Sequence, residues 1–508
     1  MLTHGRLHNA TPTLAVFDPR SLQTRVVTYC RSVVDLPAQT GITRQAFDAA
    51  GRQVASWDPR LVLTSATPNL RKTFSIGDQP LLAESVDTGW RSTLYGLTGE
   101  PRYQWDGRHN QRHIEYDPAL RPVTITEQTH GGLPCVTERL TYADMSAESA
   151  AHNLCGKLVR HDDPAGCLVI SDYSLANEIL SQSRRFLIDL LTPDWESDLA
   201  EREKRLEPTT ATTCWTFDAT GKMLRQRDAR NNARLMGYNV TGQLCQVQLI
   251  RPNLPDKTLL SQVAYNAEGQ LEQHIIGNGV KTVHSYDAQS ARLLRICVNH
   301  DMHCYQDEHY GYDPVGNITH IEDAAQAVYH FKNQRTAPVS TFLYDTLYQL
   351  IEATGRESTP SNQGPGLPEL QTPLLDPARM GTYRQRFTYD AAGNMQSLIH
   401  TSNDGYTRQM QTSALSNRSL LKFGTGEPDY DASFDANGNL QYLAPGAQPL
   451  QWDIRNQLCE VLQVFREDSD NDRECYRYDA QGQRVRKVTT RKASSVTNSL
   501  EVRYLPAR

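Results

Sequence analysis

The chain has 508 residues, of which 38% are hydrophobic and 22% charged, with a formal net charge of −6. That balance offers no basic patch to nucleic acid or to an anionic membrane surface. A mean hydropathy of −0.57 is polar for a compact globule. It suits a thin-walled structure whose repeated units bury area against their neighbours.

The opening run, MLTHGRLHNATPTLAVFD, lacks a basic stretch followed by an apolar one, so no classical signal peptide is expected. No run of about 18 apolar residues marks a membrane-spanning helix. The 10 cysteines include no C-x-x-C pair and read as reduced and mostly buried.

In chain order, residues 1–130 read as an N-terminal β region. It contains strand-like runs at 23–28 and 121–127 and aromatic-Asp-Pro turns at Asp58 and Asp117. One outlying motif, Phe47-Asp48-Ala-Ala-Gly51, occurs here. Residues 131–210 form a connecting region with one predicted short helix over 194–206, favoured by Pro193 before it and acidic residues in its first turn. From 211 to 508 the chain is a repeat array. A Pro- and Gly-rich stretch at 356–381 is expected as a loop within it.

The array repeats the frame aromatic-Asp-x-x-Gly-(Asn/Gln/Arg)-x-aliphatic. It begins with Phe217-Asp218…Gly221, Tyr238…Gly242, Tyr265…Gly269 and Tyr286-Asp287. It continues with Tyr312-Asp313…Gly316-Asn317, Tyr389-Asp390…Gly393-Asn394, Phe434-Asp435…Gly438-Asn439 and Tyr478-Asp479…Gly482. Degenerate copies start at Tyr344-Asp345 and at Trp452-Asp453.

Each position has a physical job. The aromatic ends a strand and points inward. Asp or Asn bonds the turn backbone two residues on. Gly supplies positive φ. The aliphatic starts the return strand. The frame therefore predicts an all-β fold of antiparallel hairpins laid side by side in one long sheet, with very little helix. A β-propeller would show a period of about 40–50 residues, longer than most gaps here.

Other candidate chemistry reads as structural. His300, His303, Cys304 and His309 are metal-capable types, but neighbours on a strand face opposite sides. Asp468-Ser-Asp470-Asn-Asp472 opens like a calcium loop, but Arg473 and Asp479 stand where an EF-hand needs Gly and Glu. No G-x-S-x-G elbow occurs. Asn239 and Asn317 match glycosylation acceptors but fit as turn residues. No catalytic, metal or cofactor residue is assigned. The tyrosines are expected to stack within the sheet and not to bind sugar.

The repeat resembles the Rhs/YD-repeat family, and within it the C component (TccC type) of insecticidal toxin complexes. The resemblance covers essentially the whole chain. Its most specific segments are Thr11–Val16, Arg44–Leu61, His152–Gly156, Val159–His161, Tyr344–Glu357 and Asp472–Tyr478. It implies a hollow β-shell built with a B component that docks on a pore-forming A component, and a C-terminal toxin held unfolded inside. It also implies a self-cleaving aspartyl-protease-like segment at the end of the conserved core. The present sequence stops at Arg508 without that segment or a toxin, so no catalytic residue is carried over, and the chain is expected to be the N-terminal part of a C component. On that resemblance it is made in the bacterial cytoplasm and released as part of a secreted complex. Two other readings are an Rhs-type effector fragment of a contact-dependent or type VI system and a carbohydrate-binding surface module.

Overall fold

The computed structural model describes residues 6–64, 67–331, 334–358, 380–402, 405–422, 424–443, 448–467, 471–493 and 496–505. Strand accounts for 56% of the chain and helix for 5%, so the expected β class holds. Most strands belong to one long antiparallel sheet. A five-stranded sheet is formed by Leu450–Trp452, Leu458–Val464, Asp472–Tyr478, Arg484–Ala493 and Val496–Arg503.

Successive strands pair antiparallel along the chain. Ala211–Phe217 pairs with Met223–Arg227, Lys281–Tyr286 with Leu293–His300, and Met380–Tyr389 with Met395–Thr401. The local order follows from the repeat. A strand ends at the aromatic, the chain reverses over a tight turn, and the aliphatic opens the next strand. Because each hairpin neighbours the next in sequence, the sheet grows by short-range steps.

The chain divides into two compact units, each made from separated stretches. The first comprises residues 1–71, 237–248 and 257–428. The second comprises 72–236, 249–256 and 429–508. Within each unit, turns from late in the sequence contact strands from early in it. Many side chains are only half-buried, and the fully buried ones include Thr137 and Asp345 at such contacts. The compact apolar cluster of Cys167, Leu187, Trp195 and Leu206, with Val136 against it, lies in the second unit.

Two elements depart from expectation. The helix placed at 194–206 spans only Leu199–Lys204, with Asp198 at its N-cap position. Its first residues are held elsewhere: Trp195 is 1% exposed, its backbone N–H donates to the Val136 carbonyl, and Asp194 Oδ1 accepts from Val136 N at 2.8 Å. Tertiary anchoring thus overrides the local helix signal at 194–198.

The expected loop at 356–381 lies mostly outside the described residues. Its ends are strand and not loop: Arg356 pairs with Thr382, and Ser358 with Met380. Three further short helices, Leu61–Thr64, Ala147–Ala151 and Tyr430–Ser433, have no counterpart in the sequence reading.

Candidate functional site in the repeat turns

In a chain of repeated hairpins the turns are the recurring joints. Phe47, Phe217, Tyr238, Tyr265, Tyr286, Tyr312, Tyr344, Tyr389 and Tyr478 each stand as the last residue of a strand. Phe434 instead follows the helix Tyr430–Ser433 and bridges Leu440.

After the aromatic, the Asp backbone N–H donates to the carbonyl four residues on, and the Gly N–H donates back to the Asp carbonyl. At Asp390 these bonds are 2.9 and 3.1 Å. The ladder register shifts by one just before the aromatic, as at Thr216/Phe217 and Thr388/Tyr389. This is a type I turn closed by a residue in the left-handed region that forms a bulge. Gly51, Gly221, Gly242, Gly269, Gly316, Gly393, Gly438 and Gly482 occupy that place with φ between +78° and +108°.

The Asp side chain fastens the turn. Asp390 Oδ1 accepts from Ala392 N and Asn394 N, both at 2.9 Å, and Oδ2 accepts from Asn394 Nδ2 at 3.0 Å. Asn317 and Asn439 clamp Asp313 and Asp435 in the same way, each at 2.8 Å. Arg52 Nε does so for Asp48 at 2.7 Å. Where the first residue is Asn the roles reverse: Asn266 Nδ2 donates to Gln270 Oε1 at 2.9 Å. So the variable polar position after Gly is chosen to complement the residue before the turn.

Hydrogen bonds to the charged form hold the Asp48, Asp218 and Asp313 carboxyls below the ordinary value. In Asp48 the largest cause is the backbone bond from Arg52, and in Asp218 the hydroxyl bond from Thr220. In Asp313 burial opposes the effect, but bonds from Asn317, Gly316 and Val315 outweigh it.

The aromatic carries a second joint. Tyr265 Oη donates to the Leu244 carbonyl at 2.7 Å, Tyr312 to Leu293 at 2.7 Å, Tyr344 to Ile318 at 2.8 Å, Tyr389 to Leu350 at 2.8 Å and Tyr478 to Leu458 at 2.7 Å. Each acceptor is the aliphatic residue that opens the preceding copy. Trp452 does the same with its indole N–H, to Leu440 O at 2.8 Å. The hydroxyl thus clasps one repeat to the one before it.

Sequence reasoning missed many copies because it searched for Asp or Asn followed three residues later by Gly. The same turn bonds occur after Asp18, Ser75, Gly96, Asp106, Asp117, Ser174 and Asp228. In most of these, non-glycine residues take the left-handed place: Ser21, Asp78, His109, Leu120, Asn177 and Asn231, with φ between +59° and +71°. Tyr348 and Asn456 do so in the degenerate copies, at +64° and +61°. The clasp recurs too, with Tyr116 donating to Pro101 O at 2.8 Å and Tyr142 to Pro122 O at 3.0 Å. The stretch 14–130, which looks repeat-poor, is therefore built from the same joint.

A third set of joints was invisible to the sequence. In the first unit, Arg60 at the tip of the Asp58 turn donates to Ser413 O at 2.9 Å, Ser416 O at 2.6 Å and Asn417 Oδ1 at 2.7 Å. In the same unit Thr346 Oγ1 donates to Tyr29 O at 2.7 Å, and Cys30 Sγ donates to Asp345 Oδ2 at 3.3 Å. Burial and the Asp345 charge push the Cys30 thiol up to about 12.

In the second unit, Arg455 at the tip of the Asp453 turn meets Glu127 at 2.8 Å and Glu138 at 2.6 Å. These carboxylates are 4% and 2% exposed. His161 Nε2 also donates to Glu138, at 2.6 Å. Burial raises the Glu138 carboxyl, yet the His161 bond and the Arg455 and Arg112 charges prevail and hold it below its ordinary value. Arg184 grips buried Asp163 with two bonds of 2.6 and 2.7 Å.

The remaining candidates fall into ordinary places. His300 and His303 pair across a hairpin end, and His309 lies opposite Arg295. Asp472 is held by Arg466 at 2.6 and 3.1 Å, while 468–470 lie outside the described residues. Asn239 Oδ1 fastens its own turn through Thr241 N and Gln243 N.

A family model described as the tripartite Tc toxins repeat matches residues 403–446. The chain is 32% identical to toxin subunit YenC1 of Yersinia entomophaga, over 98% of this chain and 53% of that protein. It is equally 32% identical to YenC2 of the same organism, over 99% of this chain and 55% of that protein. Among solved structures, the TcdB2-TccC3 crystal structure matches with a TM-score of 0.93 at 34% identity, over 99% of this chain and 25% of that chain. The chain has the YD-repeat fold of the Tc toxin C subunits. It spans about half the length of the curated relatives it matches. The Photorhabdus luminescens Tc holotoxin pore gives the same TM-score of 0.93, over 24% of that chain.

Proposed function

We propose that this chain is a wall segment of a toxin-complex shell. It assembles with a B component, and through it with a pore-forming A component, to enclose a toxin cargo. Its work is mechanical sequestration, without catalysis by its own residues. The observation that carries the reading is the run of antiparallel hairpins matching the TcdB2-TccC3 structure over 99% of the chain at a TM-score of 0.93. The joints support it. A wall that keeps an unfolded chain enclosed needs every hairpin held in register, and the turn carboxylates and tyrosine clasps do this copy by copy. The same clasps weigh against the carbohydrate-binding reading, because the hydroxyls that would contact sugar already donate to backbone carbonyls.

Co-expression with a cognate B component tests this by size-exclusion chromatography with light scattering. A one-to-one complex is expected, with the chain alone poorly soluble or oligomeric. A stable monomer that ignores the B component would refute the proposal. Incubated at mildly acidic and neutral pH, the chain is expected to remain one band on a denaturing gel. A discrete, inhibitor-sensitive fragment would reveal catalysis.

A further inference from the structure

The hairpin bearing the metal-capable cluster holds a different kind of site. Leu293–His300 pairs antiparallel with His303–Tyr312, with Cys297 opposite Asp307 and Val298 opposite Gln306. Continued without interruption, this register would set Cys304 opposite His300, on the face away from Cys297. It is not continued. The ladder shifts between Val298 and Asn299, so that Asn299 pairs with Cys304 and Tyr305 is left over as a bulge. Asn299 is two residues from Cys297 on one strand and shares its face. The bulge therefore turns Cys304 onto the face of Cys297.

There the Cys304 thiol donates to the Gln306 carbonyl at 3.5 Å and stands near enough to Cys297 to feel its charge. Asn299 Nδ2 donates to Cys297 Sγ at 3.0 Å, and Arg295 Nη2 reaches it at 3.9 Å. These donors support negative charge on the Cys297 sulfur during attack. Asp307 on the same face is bound by Arg295 at 2.5 and 2.9 Å. That guanidinium beside the sulfurs disfavours a second cation. Among the described residues, no group of three metal-capable side chains forms a cage.

We infer that Cys297 and Cys304 are a redox-modification site that takes a low-molecular-weight disulfide as oxidant and closes into a cross-strand disulfide. The Cys297 thiolate attacks one sulfur of the small disulfide, breaking its S–S bond and releasing one small thiolate. The Cys304 thiolate then displaces the second small thiolate from the mixed disulfide. The protein pair loses two electrons and two protons, and two small thiols carry them away. The product ties the two strands together at the bulge and fixes the local register.

Met302 lies between the two cysteines and makes the test direct. The full folded chain is reduced, exposed to glutathione disulfide, alkylated at its remaining thiols and cleaved with cyanogen bromide. Fragments 237–302 and 303–380 then separate on a non-reducing gel unless a disulfide joins them. They are expected to stay joined, to part on reduction, and to part without reduction in Cys297→Ser and Cys304→Ser. Separation of the fragments from the oxidised native chain would overturn the inference. So would a link that survives in Cys297→Ser, since it would pass to Cys245 on the same fragment.

Discussion

Replacing Arg455 by alanine tests whether turn tips brace distant strands. Arg455 lies at 2.8 Å from Glu127 and 2.6 Å from Glu138. Its removal leaves these carboxylates, 4% and 2% exposed, with the Arg112 side chain at 3.6 and 3.8 Å and the His161 bond to Glu138. Breaking a buried pair by removing one partner destabilises by about 3–5 kcal/mol. For units of roughly 150–250 residues each kcal/mol moves the midpoint by about 2–4 °C, so a fall of roughly 6–20 °C is expected. The assay is thermal unfolding followed by circular dichroism, with hydrogen exchange read in Gln111–Tyr116, Pro122–Gln128 and Cys135–Tyr142. Faster exchange should concentrate in these strands. Arg455→Lys should recover only part of the loss, because an ammonium lacks the planar fork that reaches two carboxylates. Adding Glu127→Gln and Glu138→Gln to Arg455→Ala should recover part of it by removing the stranded charges. A melting curve for Arg455→Ala within about 2 °C of the native chain, less than roughly 1 kcal/mol on the same scale, would refute the brace.

Tyr389→Phe removes only the clasp to Leu350 O and is expected to cost about 0.5–1.5 kcal/mol, measured by urea unfolding. Gly393→Ala and Gly438→Ala share nearly the same φ, +87° and +82°, so each carries the left-handed penalty of about 1–2 kcal/mol. Gly438→Ala should be clearly worse, because a Cβ there would lie 2.3 Å from the Asp87 carbonyl oxygen whereas at Gly393 it meets only the end of the Gln349 side chain; equal midpoints would contradict this. The lowered carboxyls of Asp48, Asp117, Asp218, Asp287 and Asp313 favour the fold when ionised. Their contribution is complete above the ordinary carboxyl value and is lost as pH falls through the lowered folded values. Asp453 and Asp479, raised chiefly by burial, act in the opposite sense and are relieved by protonation. Unfolding below about pH 4, near the ordinary carboxyl value, followed by circular dichroism, is the expected balance; full strand signal retained at pH 2 would contradict it.

The parts of this protein that were legible in the sequence are those fixed within a few residues of chain. The Asp carboxylate, the left-handed glycine and the polar clamp of a copy such as Asp390-Ala-Ala-Gly393-Asn394 bond one another locally. The turn and both strand ends followed from type and spacing, and with them the all-β class and the family. The same locality explains the missed copies. Ser21, His109 and Leu120 reach the left-handed place because flanking strand pairing holds the backbone there, and no propensity announces it.

Tertiary structure decided the rest. That Arg60 reaches Ser413, that Arg455 neutralises Glu127 and Glu138, and that Asp163 is gripped by Arg184 are matters of which hairpins stack within a unit. A charged residue at a turn tip reads as solvated until something encloses it. The helix expected from Asp194 shortened to Leu199–Lys204 because Trp195 found a buried site against Val136. Cys297 and Cys304 share a face only because one residue bulges between them. Local hydrogen bonding repeats and can be read from sequence. Burial and register sum over distant segments, and only the folded chain carries out that sum.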